Sequence, residues 1–233
     1  MFTNKTRPMA LTLRVLARLV SYPDAAVREY LGEMRDVLHG EQALCSDRLA
    51  EIDAFIASIQ RQSAIDAEAD YVQLFDSGRR TSLHLFEHVH GDSRDRGPAM
   101  IDLAQTYEKA GLYLAEGEMP DHLPVALEYA STQPPAEAKA FLSETANILN
   151  VIFNALEKRE SRYASVLGAL LDLAGERARP VTIADEPPID ESWAEPVAFD
   201  GCSTSGQSRP GQPQPVHIVR TQQTSAKTQG ARV

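Results

Sequence analysis

Only two cysteines occur in 233 residues, Cys45 and Cys202, and neither has a second thiol at metal-binding or redox-motif spacing. That excludes a disulfide framework and a thiolate metal site, and makes a reducing compartment, the cytoplasm, the expected home. Long apolar runs are missing as well: no stretch approaches ~18 uncharged apolar residues, so no membrane span or stable membrane association is expected. The N-terminal MFTNKTRPMALTLRVLARLVSYP begins basic and turns leucine-rich, but Arg14 and Arg18 break the run and no small-residue cleavage site follows, so it does not read as a secretory leader. Bases are scarce beside acids, 23 against 33, and the net charge of -10 argues against nucleic acid and favours a basic or neutral partner surface. GxSxG strings, glycine-rich phosphate loops and alternating β-branched stretches are also lacking. No internal repeat at solenoid periods occurs, and the fold class expected is all-α, a single-domain bundle of eight to nine helices.

What is present is helical periodicity over residues 1–179. Leu11, Val15, Leu16, Leu19 and Val20 share one face of a first helix, residues 9–20. A second is expected from Asp24 to a left-handed cap at Gly40, and a third, capped by Ser46 or Asp47, carries Leu49, Ile52, Phe55, Ile56 and Ile59. An Ala-rich run from Ser63 to Phe75 ends with Tyr71, Leu74 and Phe75 projecting together. The spacing then predicts helices over 81–90, from Pro98 to about Ala115, and from Leu123-Pro124 with Asp121 as its cap. The longest helix begins at Pro134-Pro135, and a last one runs from Ser161 to Ala178. From 180 to 233 the chain is rich in Pro, Ser, Thr, Gln and Gly and is expected to be a largely disordered tail, with Trp193 and Phe199 marking a docking segment at 189–199.

Residues 71–104 hold the chemistry. Glu87, His88, His90, Asp92, Arg94, Asp95 and Arg96 crowd around Gly91 between two amphipathic helices, where they must pair, stay wet or bind something. Pairing and capping account for most of them, with Asp92 or Ser93 capping the next helix and an exposed minority left to contact a ligand. His84-Leu85-Phe86-Glu87-His88 matches the HxxEH string of inverted zinc metallopeptidases, and on a helix 84, 87 and 88 share a face; the third ligand could only be nominated, at Glu157 or Glu160. Asp121-His122 reads as a cap, with recognition of a basic or amide-bearing ligand as the functional alternative. A zinc-dependent hydrolase and a helical adaptor without a dedicated client are therefore two alternative readings of these residues.

SYPDA at 21–25, YVQLFDSGRRTSL at 71–83, LFEHVHGDSRDRGPAMIDL at 85–103, PDHLPVALEY at 120–129 and ESRYASVL at 160–167 resemble the NarJ-type assembly chaperones of respiratory nitrate reductase, within the TorD/DmsD-like maturation chaperones. The resemblance implies a non-enzymatic cytoplasmic chaperone with no cofactor of its own. Its partner would be the N-terminal segment of the apo catalytic (alpha) subunit, held until molybdenum cofactor and an iron–sulfur cluster are inserted and before membrane docking, and it would not be part of the final enzyme. Proteins of molybdenum cofactor biosynthesis are further implied partners. Peptide binding is implied around Tyr71, Leu74 and Phe75 of Y-x-x-L-F and Asp121 and His122 of P-D-H, and extends to Glu87, His88, His90, Arg94 and Arg96 of the central block. The family usually has an apolar residue at position 84, which makes the HxxEH string accidental.

Overall fold

The computed structural model describes residues 8–91 and 93–181. Ten α-helices make up this part: α1 (Ala10–Leu19), α2 (Ala25–Glu29), α3 (Leu31–Glu41), α4 (Ser46–Arg61), α5 (Ala64–Phe75), α6 (Leu85–Val89), α7 (Arg96–Lys109), α8 (Leu123–Thr132), α9 (Pro135–Lys158) and α10 (Ala164–Ala174). No strand occurs among the described residues; the one β-type pairing is an isolated antiparallel bridge between His84 and His122.

The last helix lies at the centre. Val166, Leu167, Gly168, Ala169, Leu170 and Leu171 of α10 are all buried, so the helix is covered on every side, as its near-continuous apolar sequence requires. Helix α9 packs along it as a hairpin partner through Leu142, Leu149, Ile152 and Leu156, while α4 and α1 contact its other sides. Helix α8 lies along α1, and α3 bridges α1 and α4. Gly168 is where α4 reaches α10: the Arg48 guanidinium sits against its Cα and pairs with Asp172 at 2.9 Å and with Glu51.

Several elements differ from the periodicity reading. There are ten described helices instead of eight or nine, because the Asp24 helix divides at Tyr30 into α2 and α3. Asp24 does cap α2, accepting from Val27 N–H at 2.8 Å. Helix α3 runs past Gly40 to a left-handed cap at Gln42 (φ 55°), and this extra turn presents the Glu41 carboxylate to the first turn of α1, accepting from Leu11 N–H and Thr12 N–H at 3.1 and 2.6 Å. Neither Ser46 nor Asp47 caps α4, whose cap position is Cys45. Residues 81–84 are not helical. Buried Thr81 donates to Leu74 C=O, and the Ser82 hydroxyl accepts from His84 N–H at 3.2 Å, so side-chain bonds hold a turn where a helix was expected. Helix α7 stops at Lys109 rather than Ala115, and α10 ends at Gly175 (φ 82°) rather than Ala178. The expected tail and docking segment at 189–199 lie outside the described residues.

Candidate functional site

The 81–85 turn and the 119–123 turn are stitched to each other by backbone. Leu85 N–H donates to Asp121 C=O at 2.9 Å and Leu123 N–H donates to Leu83 C=O at 2.8 Å, which sets His84 opposite His122. Their rings stack with centroids 5.0 Å apart and 27° between planes. Between the two turns sits Asp121, with 0% of its surface exposed.

Asp121 does not cap α8 as the sequence predicts; the cap position of α8 is His122, without a side-chain bond. Its carboxylate reaches across to α6 instead. Oδ2 accepts from Phe86 N–H at 3.2 Å, an unpaired first-turn donor of that helix, and lies 3.8 Å from Arg96 Nη2; Oδ1 accepts from His84 Nδ1 at 3.3 Å. Arg96 Nη2 also lies 3.7 Å from Glu87 Oε1, so Glu87, Arg96, Asp121 and His84 form one network over the 119–122 turn. The hydrogen bond to Asp121 raises the His84 pKa against the opposing effect of burial. Burial, followed by the neighbouring His84, lowers that of His122. The stacked pair is thus built to share its protons unequally.

The HxxEH string has no helical face to act from. His84 stands before α6, not on it, and faces Asp121; His88 Nε2 donates to Ser82 C=O at 2.9 Å; Glu87 faces Arg96. Among the described residues no group of three or more His, Cys, Asp or Glu is arranged to hold a metal, and Glu157 and Glu160 join none. His90 meets Phe86 edge-on at 5.3 Å, Arg94 is exposed, and Asp92 is not among the described residues. Ser93 stabilises its own turn by accepting from Asp95 N–H at 3.2 Å, and α7 begins without a side-chain cap.

Tyr71 and Phe75 are core residues. They pack with Tyr163 and Phe55 in an aromatic cluster with centroids 4.5 to 6.1 Å apart, and the Tyr71 hydroxyl donates to Val20 C=O at 3.0 Å. Burial drives the Tyr71 phenol pKa upward. Leu74 is half-buried beside them, so of Tyr71, Leu74 and Phe75 it alone reaches the surface.

A concave surface adjoins the 119–122 turn through Tyr107 and Glu118. A cleft of about 400 Å³ opens between Arg14 and Arg18 of α1, Val125, Glu128, Tyr129 and Thr132 of α8, and the stretch from Tyr107 through Leu112, Tyr113 and Leu114 to Glu118. That is within the ordinary range for ligand pockets, about 300–1,000 Å³. Tyr107 is its back wall: its ring lies 4.7 Å from that of Tyr129, and its hydroxyl donates to Pro120 C=O at 2.9 Å, one residue from Asp121. Arg14 Nε donates to Ser131 Oγ at 3.2 Å, and Glu118 accepts from Ala115 N–H at 3.0 Å. Sequence reasoning counted Arg14 and Arg18 only as breaks in the N-terminal apolar run. The mixed spacing of Val125, Glu128, Tyr129 and Thr132 along α8 was the available signal.

Residues 23–167 match the model of the nitrate reductase delta subunit family. The chain belongs to that family. Its NarJ-type character is carried by 40% identity over 190 residues, 82% of this chain and 78% of the other, to the nitrate reductase molybdenum cofactor assembly chaperone NarJ of Escherichia coli K12. A probable chaperone of the same description from Bacillus subtilis is 29% identical over 71% of this chain and 89% of its own. A crystal structure from Archaeoglobus fulgidus, of a protein assigned as a redox enzyme maturation protein, superposes with a TM-score of 0.51 over 72% of this chain and 94% of that chain, at 21% identity, a likeness of fold. No described helix of this NarJ-type chain is long and apolar enough to cross a membrane.

Proposed function

We propose that this protein is a non-enzymatic assembly chaperone dedicated to the catalytic subunit of a respiratory nitrate reductase. It binds the N-terminal segment of the apo subunit in the cytoplasm, keeps the subunit open while molybdenum cofactor and an iron–sulfur cluster are inserted, and leaves before the enzyme docks at the membrane. The observation that carries this reading is the 40% identity to a named molybdenum cofactor assembly chaperone along most of both chains.

The receiving surface in this reading is the cleft between α1, α8 and Tyr107–Glu118. Tyrosine, leucine and valine side chains line it together with Arg14, Arg18, Glu118 and Glu128, which suits a client helix with one apolar face and charged flanks. The net charge of -10 adds long-range steering. Of the residues chosen from sequence, Glu87, Arg96 and Asp121 would act by fixing the 119–122 turn beneath the cleft, while Leu74, His88, His90, Arg94 and His122 would contact the client beyond it. Tyr71 and Phe75 would support that surface from inside.

The test is calorimetry with a synthetic peptide carrying the client's leading segment. Tyr113→Ala combined with Glu128→Ala should weaken binding more than tenfold, about 1.4 kcal/mol. Unchanged affinity in the folded double variant would move the site elsewhere, and no binding by the unmodified protein would remove the client reading.

A further inference from the structure

We infer that α7 and the turns after it, residues 96–118, form a flap that opens as one piece and controls access to the cleft; the gating half of this rests on the client reading above.

The flap takes no part in the main core. None of the residues that build the apolar cluster, or that pack against it half-buried, comes from 96–118, although every other helix contributes at least one. Tyr107 is the only buried side chain of α7 among the described residues, while Ile101 is 59% and Tyr113 81% exposed. Opening the segment therefore leaves the apolar core of the bundle intact. Local openings that spare the core cost less than global unfolding.

What holds the segment is one buried ring, Tyr107 against Tyr129 at 4.7 Å, and a few polar contacts concentrated at the 119–122 turn. Near one end Arg96 faces Asp121 and Glu87 at 3.8 and 3.7 Å; near the middle Tyr107 donates to Pro120 C=O at 2.9 Å. Glycines with positive φ lie on either side of α7, Gly91 at 51° before it and Gly111 at 81° and Gly117 at 87° between its end and the turn. Such positions absorb the backbone change of a hinge without steric cost. One wall of the cleft, Tyr107 to Glu118, belongs to this segment and the facing wall belongs to α1 and α8. Moving the flap moves one wall only.

Hydrogen exchange read by mass spectrometry on the full chain tests this. The amides of α7 should exchange together, about 100-fold faster than those of α9 and α10. Tyr107→Phe and Arg96→Gln should each speed α7 by up to about tenfold and leave α10 unchanged. Exchange of α7 on the α10 timescale, or equal acceleration of both helices in the variants, would overturn the flap. Stopped-flow association with the client's synthetic leading segment separates the second half. Faster flap opening with unaltered association overturns the gating, and absence of binding by every form overturns the client reading while the flap stands on its exchange data.

Discussion

Replacing Asp121 is the most direct probe of how the two turns are joined. Asp121→Ala strips Phe86 N–H of its acceptor and leaves His84 Nδ1 and Arg96 without the carboxylate between them. A hydrogen bond to a charged group contributes about 1.5–3 kcal/mol, and this one is wholly buried on the acceptor side. The Arg96 contact adds little, since that side chain is 29% exposed, its distance is 3.8 Å, and it can turn to water. The expected loss is about 2–3 kcal/mol, a large part of the 5–15 kcal/mol of a typical domain. Asp121→Asn keeps an oxygen for Phe86 N–H and should lose only about 1 kcal/mol. Urea denaturation at neutral pH, with an unchanged slope, gives both values. Hydrogen exchange adds the location: the loosened amides should be those of α6. If they lie in the first turn of α8, Asp121 is that helix's cap after all and the cross-turn reasoning fails.

The stacked histidines give opposite pH dependences. His84, with a folded pKa raised by Asp121, contributes stability that is complete below its unfolded value of about 6.5 and is lost as pH rises through the folded one. His122, lowered by burial, contributes stability that is present above its unfolded value and lost as pH falls through the folded one. Thermal melts should show His84→Gln flattening the alkaline side of the profile and His122→Gln the acidic side; exchanged effects would contradict the assignment. Glu41→Ala removes the double cap on α1 and should lower stability by about 1–2 kcal/mol, read as a shift of the urea midpoint. Tyr71→Phe should cost about 1 kcal/mol through the lost bond to Val20 C=O and leave client affinity unaltered; weakened binding at full stability would return Tyr71 to the groove.

Much of the bundle was legible because period and burial coincide. Leu49, Ile52, Phe55, Ile56 and Ile59 on α4, and Leu142, Leu149, Ile152 and Leu156 on α9, fall on the faces their spacing assigns. What stayed hidden was long-range. Glu41 reaches α1 from 30 residues away and Asp121 reaches Phe86 from 35 away, and nothing local distinguishes either from an ordinary surface or capping acid. The HxxEH string misled for the same reason: its helical face exists only if Thr81–His84 is helix, and two buried hydroxyls hold that stretch as a turn. The site was half-legible. The central block and P-D-H do converge in space, around Asp121, but the concavity beside them is made by Arg14, Arg18, Tyr113 and Glu128, whose proximity depends on α8 lying along α1.

The density of charge between Glu87 and Arg96 then has a mechanical explanation. A helix anchored by burying three or four leucines would gain about 1.5–3 kcal/mol from each and would be released only with the domain itself. Helix α7 has instead one buried tyrosine, one hydroxyl bond to Pro120 and one arginine shared between Asp121 and Glu87. Polar anchors of this kind contribute roughly 0.5–1.5 kcal/mol apiece and the single buried ring about as much as one core side chain, together strong enough to define a closed position and weak enough to leave it. Both anchors end on the 119–122 turn, and the backbone bonds that bind that turn to 83–85 hold it to the core through Leu83, Leu85 and Leu123. The charged block is therefore placed where a detachable segment meets a fixed one. For Glu87 and Arg96 the chemistry is attachment, since Arg96 on the segment faces Glu87 of α6 and Asp121 of the turn.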